Sequence, residues 1–173
     1  MVVRYALPEI ATPDLHASDD LGASSTDNVT SATTLTFTGS APVGSTVQLY
    51  VDGVASGNTC TTSSTTGLWS CDTGVLTDGD KVITAVSTTV LSDSTVTSTS
   101  SSLTVTVDTT APTVTAFASS TTNGTYVPGA TIAISATTSE AIQSGNTLTV
   151  TLDTGATVTL TAASAGTSLT GTY

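Results

Sequence analysis

At Leu103-Thr104-Val105-Thr106-Val107 aliphatic and hydroxyl side chains alternate one for one. Successive side chains of an extended strand point to opposite faces, so this pattern buries one face and wets the other. The same alternation recurs at Val47, Leu49 and Val51, at Ile132, Ile134 and Ala136, and at Leu148, Val150 and Leu152. Thr and Ser fill 67 of the 173 positions, a composition shared with mucin-like coils. Hydrophobic residues nevertheless reach 38%, and their period of two favours a folded sheet protein. Helical bundles draw on Ala, Leu, Glu and Lys, whereas Thr and Val suit a pleated, half-buried surface.

Turn signals divide these runs. Ala41-Pro42-Val43-Gly44 separates a strand ending at Thr36–Gly39 from one over Thr46–Val51. Asp52-Gly53 predicts a tight hairpin, because both central positions of that turn need positive φ. A strand over Ala55–Ser63 is expected to pair with Leu68–Thr73 across Ser64-Thr65-Thr66-Gly67. Leu76-Thr77-Asp78-Gly79-Asp80 turns into Lys81–Ser87, and Leu103–Val107 closes a set of about seven strands. That number fits an immunoglobulin-like β-sandwich over residues 1–108.

Residues 109–112, Thr-Thr-Ala-Pro, read as a short linker, since proline cannot donate to a central ladder and biases its predecessor to extended geometry. A second β-domain is expected over 113–173. Its strands fall at Thr113–Ala118, Thr131–Thr137, Leu148–Leu152, Ala156–Thr161 and Ser168–Tyr173, with turns at Asn123-Gly124, Pro128-Gly129 and Asp153-Thr154-Gly155. This second domain is short and ends in a strand, so an incomplete sandwich is expected, cut there or completed from elsewhere. The fold class is therefore all-β, with tandem sandwiches of which the second is incomplete.

Thirteen acids face two bases for a net charge of -11. Arg4 and Lys81 cannot form the cationic face that replaces phosphate counterions, which excludes nucleic acid as a partner. No run reaches the roughly 18 apolar residues of a membrane span. Pro8 and Glu9 break the N-terminus before a secretory apolar segment forms, so the chain is expected to be part of a longer precursor or to lack its export signal.

Cys60 and Cys71 fall on the two strands of the expected hairpin, roughly opposite each other, and predict a disulfide. The alternative is a pair of buried thiols acting as small hydrophobes. A bridge implies an oxidising, extracellular setting.

Residues 13–28 concentrate four acids in a turn-rich stretch. Calcium takes six to eight oxygens from carboxylates, amides, backbone and water. Asp14, Asp19, Asp20, Asp27 and Asn28 offer such a set, with the hydroxyls of Ser18 and Thr26 nearby. Solvated loop acids that form turns and confer solubility are the competing reading. The spacing is not that of an EF-hand loop. Asp108 either ends a strand or presents a carboxylate at the joint between domains. Zinc is disfavoured, since His16 is the only other soft ligand.

Taken in order, Pro13-Asp14-Leu15, Ser18-Asp19, Gly22, Ser24, Thr26-Asp27-Asn28-Val29-Thr30, Thr36-Phe37-Thr38-Gly39-Ser40-Ala41-Pro42, Gly44-Ser45-Thr46-Val47, Asp52-Gly53, Gly67-Leu68-Trp69-Ser70 and Leu76-Thr77-Asp78-Gly79 resemble the bacterial immunoglobulin-like repeats of large surface adhesins and biofilm-associated proteins. Val107-Asp108-Thr109-Thr110-Ala111-Pro112 is similar to the linker between such repeats, and Ser139-Glu140-Ala141 with Leu152-Asp153-Thr154-Gly155-Ala156 resembles a second repeat type. The resemblance implies a rod of sandwiches on the bacterial cell surface, with neighbouring repeats as partners and calcium at the joints. Carried over by position, it favours Asp14, Asp19, Asp27 and Asp108 as calcium ligands over Asp20 and Asn28. The chain departs from the pattern between Val86 and Ser102, where the usual Asp-x-x-Gly-Asn stretch gives way to the polar run Ser94–Ser102. A cysteine bridge is an addition in some members.

Catalysis finds no seat. No GxSxG elbow accompanies His16, no glycine-rich loop precedes a helix, and a glycosidase cleft usually draws on aromatics that are scarce here at 4%. The expected function is a structural spacer of an exported adhesin. The alternative is an extracellular recognition module binding glycan or a host protein through its loops, Trp69 or Tyr50.

Overall fold

The computed structural model describes residues 9–173. The N-terminal break read at Pro8 therefore lies outside the described residues. The fold is all-β, and among the described residues no helix is long and apolar enough to cross a membrane. Two compact units divide it, the larger taking in the chain through Leu21 and Ser25–Thr109, the smaller Gly22–Ser24 and Thr110–Tyr173.

The larger unit is a sandwich. One sheet orders β1 (Asp14–Leu15), β3 (Thr36–Ser40) and β6 (Leu68–Asp72). The other orders β2 (Val29–Thr30), β9 (Leu103–Val107), β7 (Gly79–Val90), β4 (Thr46–Val51) and β5 (Val54–Thr61), with β8 (Thr95–Thr99) on the far half of β7. Leu15, Phe37, Trp69 and Cys71 from the first sheet meet Val47, Leu49, Ile83, Ala85, Val105 and Val107 from the second in one buried cluster. Val47, Leu49, Val105 and Val107 are aliphatic positions of the alternation, and the neighbouring Thr46, Thr104 and Thr106 are exposed or half-buried.

Asp52-Gly53 forms the expected two-residue hairpin between β4 and β5, with φ of 51° and 81° and Val51 opposite Val54. Asp52 also holds the adjoining strand: its N–H donates to Val82 O, and its Oδ1 accepts the Val82 N–H, both at 2.9 Å.

Three expectations are corrected. The chain does turn at 64–67, where Gly67 N–H donates to Ser63 O and Ser63 N–H to Leu68 O. The strands on either side do not pair, however. β5 pairs β4, and β6 pairs β3, so the chain arches from one sheet to the other. The Cys60–Cys71 disulfide is present, with Cα atoms 5.8 Å apart, and it joins the two sheets instead of two strands of a hairpin. Second, the unit has nine strands where about seven were expected: the six runs named from sequence are joined by two short strands in the acidic segment and by β8 in the polar run before Leu103. Third, β7 extends through Val90, beyond the expected end at Ser87.

The margin bridged by the disulfide is closely fitted. A Cβ on Gly57, whose φ is +70°, would stand 1.9 Å from Asp72 O, so only glycine lets β5 approach β6 there. Ser56 Oγ accepts the Gly74 N–H at 3.0 Å across the same seam.

The smaller unit is a single antiparallel sheet ordered β10 (Val114–Ala118), β11 (Ala133–Ile142), β14 (Gly166–Thr172), β13 (Thr157–Thr161) and β12 (Thr147–Thr151). Ala136, Val158, Leu160, Ala162 and Leu169 form its buried cluster, with Leu148 and Val150 packed against them. Thr147, Thr149, Thr151, Thr157, Thr159, Thr161, Thr170 and Thr172 are exposed. Among the described residues no second sheet faces this one within the unit.

Candidate cation site in the acidic segment

The segment from Pro13 to Thr30 is bound to the sandwich at both ends. β1 lies on β3, with Asp14 opposite Thr38 and Leu15 opposite Phe37. β2 runs parallel to β9. Thr106 donates its N–H to Asn28 O at 2.9 Å, and Asp108 donates its N–H to Thr30 O at 2.8 Å. Two residues carry too little alternation to announce a strand, so neither β1 nor β2 is visible in the sequence.

Between these ends the chain makes a turn in which Asp19 N–H donates to His16 O at 2.8 Å. His16 Nδ1 lies 2.8 Å from Ser18 Oγ. The adjacent carboxylates Asp19 and Asp20 then take different surroundings. Asp19 Oδ2 accepts the Thr36 N–H at 2.7 Å, and its Oδ1 accepts Ser18 Oγ–H at 3.1 Å. Thr30 Oγ1 donates to Asp19 O, and itself accepts the Ala32 N–H at 3.1 Å. Burial alone would raise the Asp19 pKa, but the Thr36 and Ser18 hydrogen bonds and the charge of His16 outweigh it and hold the carboxyl below its ordinary value. Asp19 thus clamps the segment to the start of β3.

Asp20 is 6% exposed, and its Oδ1 has no hydrogen-bond partner among the described residues. Its carboxyl is pushed up from the ordinary value by burial first. The Asn28 N–H opposes that rise, while the charges of Asp27 and Asp14 reinforce it. Asn28 adopts a left-handed φ of 56°, which asparagine tolerates better than most residues. Asp27 Oδ1 accepts the Val29 N–H at 3.2 Å and so shapes the same turn.

A cavity of about 420 Å³ opens at this point, lined by Asp14, His16, Asp20, Ser25, Thr26, Asn28 and Thr38 among others. Of the residues proposed from sequence, the structure gathers Asp14, Asp20 and Asn28 around this cavity. Asp27 lies close enough to act on Asp20 by its charge. Asp19 is turned onto Thr36 and Asp108 follows the end of β9, and neither lines the cavity. Ser25 and Thr38 join it without having been foreseen, because hydroxyls are too common in this chain to carry a signal. Among the described residues no three of His, Cys, Asp and Glu form a metal-binding group.

Any ion held here would take most of its oxygens from amide, hydroxyl, backbone and water. Calcium fits that chemistry. An orphaned, buried carboxylate oxygen beside other acids is costly unless a cation meets it. Asp14 and Asp20 would give carboxylate oxygens, Asn28 an amide oxygen and Thr26 or Ser25 a hydroxyl.

Of the two rings named for a recognition module neither is exposed, whereas Phe117, Tyr126 and Tyr173 are. Trp69 is 3% exposed and stacks over Gly39 in the core, and Tyr50 is half-buried on β4.

Residues 7–109 match the family model described as bacterial Ig-like domain. No curated protein matches the chain.

Proposed function

Since the chain belongs to the bacterial Ig-like domain family, a non-catalytic family of structural surface-protein modules, we propose that it serves as a spacer of an exported bacterial adhesin, stiffened by calcium held in its acidic segment. The observation that carries the calcium reading is Asp20, a buried carboxylate with an unpartnered oxygen beside a cavity lined by Asp14 and Asn28. An ion there would tie β1, β2 and the turn between them into one coordination shell, and so couple the segment to the sandwich.

Several features support a mechanical role. The disulfide and the Gly57–Asp72 contact bind the two sheets along one margin. Formation of the bridge agrees with an oxidising, extracellular location. Aromatic residues, the usual anchors of recognition surfaces, are scarce at 4% of the chain. Neighbouring repeats of the same polypeptide are the partners this reading requires.

The test is a screen of the full chain, with calcium present, on glycan and cell-surface protein arrays. The spacer reading expects no saturable binding. Saturable binding to one defined ligand, lost on changing an exposed loop, would replace it with the recognition module.

A further inference from the structure

One sheet edge of the smaller unit, β12, has a sequence that is self-complementary in an antiparallel register. β12 ends the sheet, hydrogen-bonded on one side to β13 in a register that runs without a shift from Thr147↔Thr161 to Thr151↔Thr157. Leu152 N–H donates to Ala156 O at 2.8 Å, and Ala162 N–H donates to Asn146 O at 2.9 Å. Even-numbered residues of this strand therefore turn their backbone toward β13. By the alternation of an antiparallel ladder, Thr147, Thr149 and Thr151 turn theirs outward.

Natural sheets blunt such edges with charge, proline or bulges. β12 has none of these: Thr-Leu-Thr-Val-Thr is uncharged, and its pairing is regular. The opposite edge differs, since β10 carries a bulge between Val114 and Ala116. Glu140 and Asp153 are the only charged side chains after Asp108, so like-charge repulsion is weak in this unit although the whole chain is at -11.

We propose that β12 is a self-association edge whose occupant is β12 of a second copy, added antiparallel about a two-fold axis through Thr149. In that register Thr149 meets its own counterpart, Thr147 meets Thr151, and Leu148 meets Val150. Apolar side chains then oppose apolar ones on the face that carries the buried cluster, and hydroxyls oppose hydroxyls on the other. Every outward N–H and C=O of the three threonines gains a partner, and the interface is isologous, as a two-fold dimer demands. On two other strands antiparallel self-pairing fails this match. It would set Val96 against Ser98 in β8 (Thr95–Thr99) and Thr115 against Phe117 in β10. A contact made mainly through one strand belongs to the weak, transient class.

Sedimentation equilibrium of the full chain, from low to high micromolar, tests this. The weight-average mass should climb from 17.0 kDa toward twice that value. Thr149→Lys and Thr149→Glu each set like charges face to face and should weaken association at least about tenfold. Mixed in equal amounts they should associate again, a rescue that a merely misfolded variant would not give. Ala116→Lys on β10 should leave association intact. A mass fixed at 17.0 kDa at all concentrations overturns the proposal and leaves the edge to a strand from another protein. Association that Thr149→Lys does not weaken, or that Ala116→Lys abolishes, overturns it too.

Discussion

Trp69 covers Gly39 so closely that a Cβ built on the glycine would lie 2.5 Å from Trp69 Cζ2. The two residues are register partners on β6 and β3, and the indole is 3% exposed. Gly39→Ala is expected to destabilise the larger unit by about 1–3 kcal/mol through overpacking. Denaturant unfolding followed by the fluorescence of Trp69, the sole tryptophan, reads both the lost stability and the displaced ring.

The inter-sheet disulfide closes a loop with a sequence separation of 11. In the chain-entropy account, removing it should cost about 3 kcal/mol. The paired variant Cys60→Ser, Cys71→Ser is expected to unfold at a lower denaturant midpoint than the oxidised chain. Gly57→Ala on the same seam should also destabilise, because its Cβ would strike backbone in a left-handed conformation.

Asp19 and Asp20 give opposite pH dependences. Folding lowers the Asp19 pKa, so its contribution is present above the unfolded-chain value and lost as pH falls through the lowered folded value. Folding raises the Asp20 pKa, so its contribution is full below the unfolded-chain value and lost as pH rises through the raised one. In chelator at neutral pH, Asp19→Asn should destabilise by about 1–2 kcal/mol, the cost of weakening a charged hydrogen bond. Asp20→Asn should stabilise there. Melting curves taken between about pH 3 and pH 7 should show both differences shrinking toward the acid end.

Much of the fold is legible in the sequence because alternation and turn chemistry act locally. Leu103–Val107 announces its strand and its buried face, and Asp52-Gly53 announces its hairpin. The pairing of β5 and β6 is different. A turn at 64–67 and two cysteines at matching distance describe a hairpin and an arch between sheets equally well, and only the competing partners β4 and β3 decide. β8 was hidden because Val96 is the only aliphatic residue in a run of threonine and serine. The acids of the candidate site were visible as a cluster, but their division of labour was not. Asp19 and Asp20 are neighbours of identical chemistry. Which one meets Thr36 and which one is buried beside the cavity follows from where β1 and β3 place the turn.

The unfolding midpoint of the full chain, measured in calcium and then in chelator for the natural sequence and Asp20→Asn, tests the account most directly. Binding to the folded state alone should stabilise the natural chain by about 2.7 kcal/mol at a hundredfold excess over the dissociation constant. Asp20→Asn should lose most of that response. A natural chain whose midpoint does not move on chelation would contradict a calcium-stiffened module.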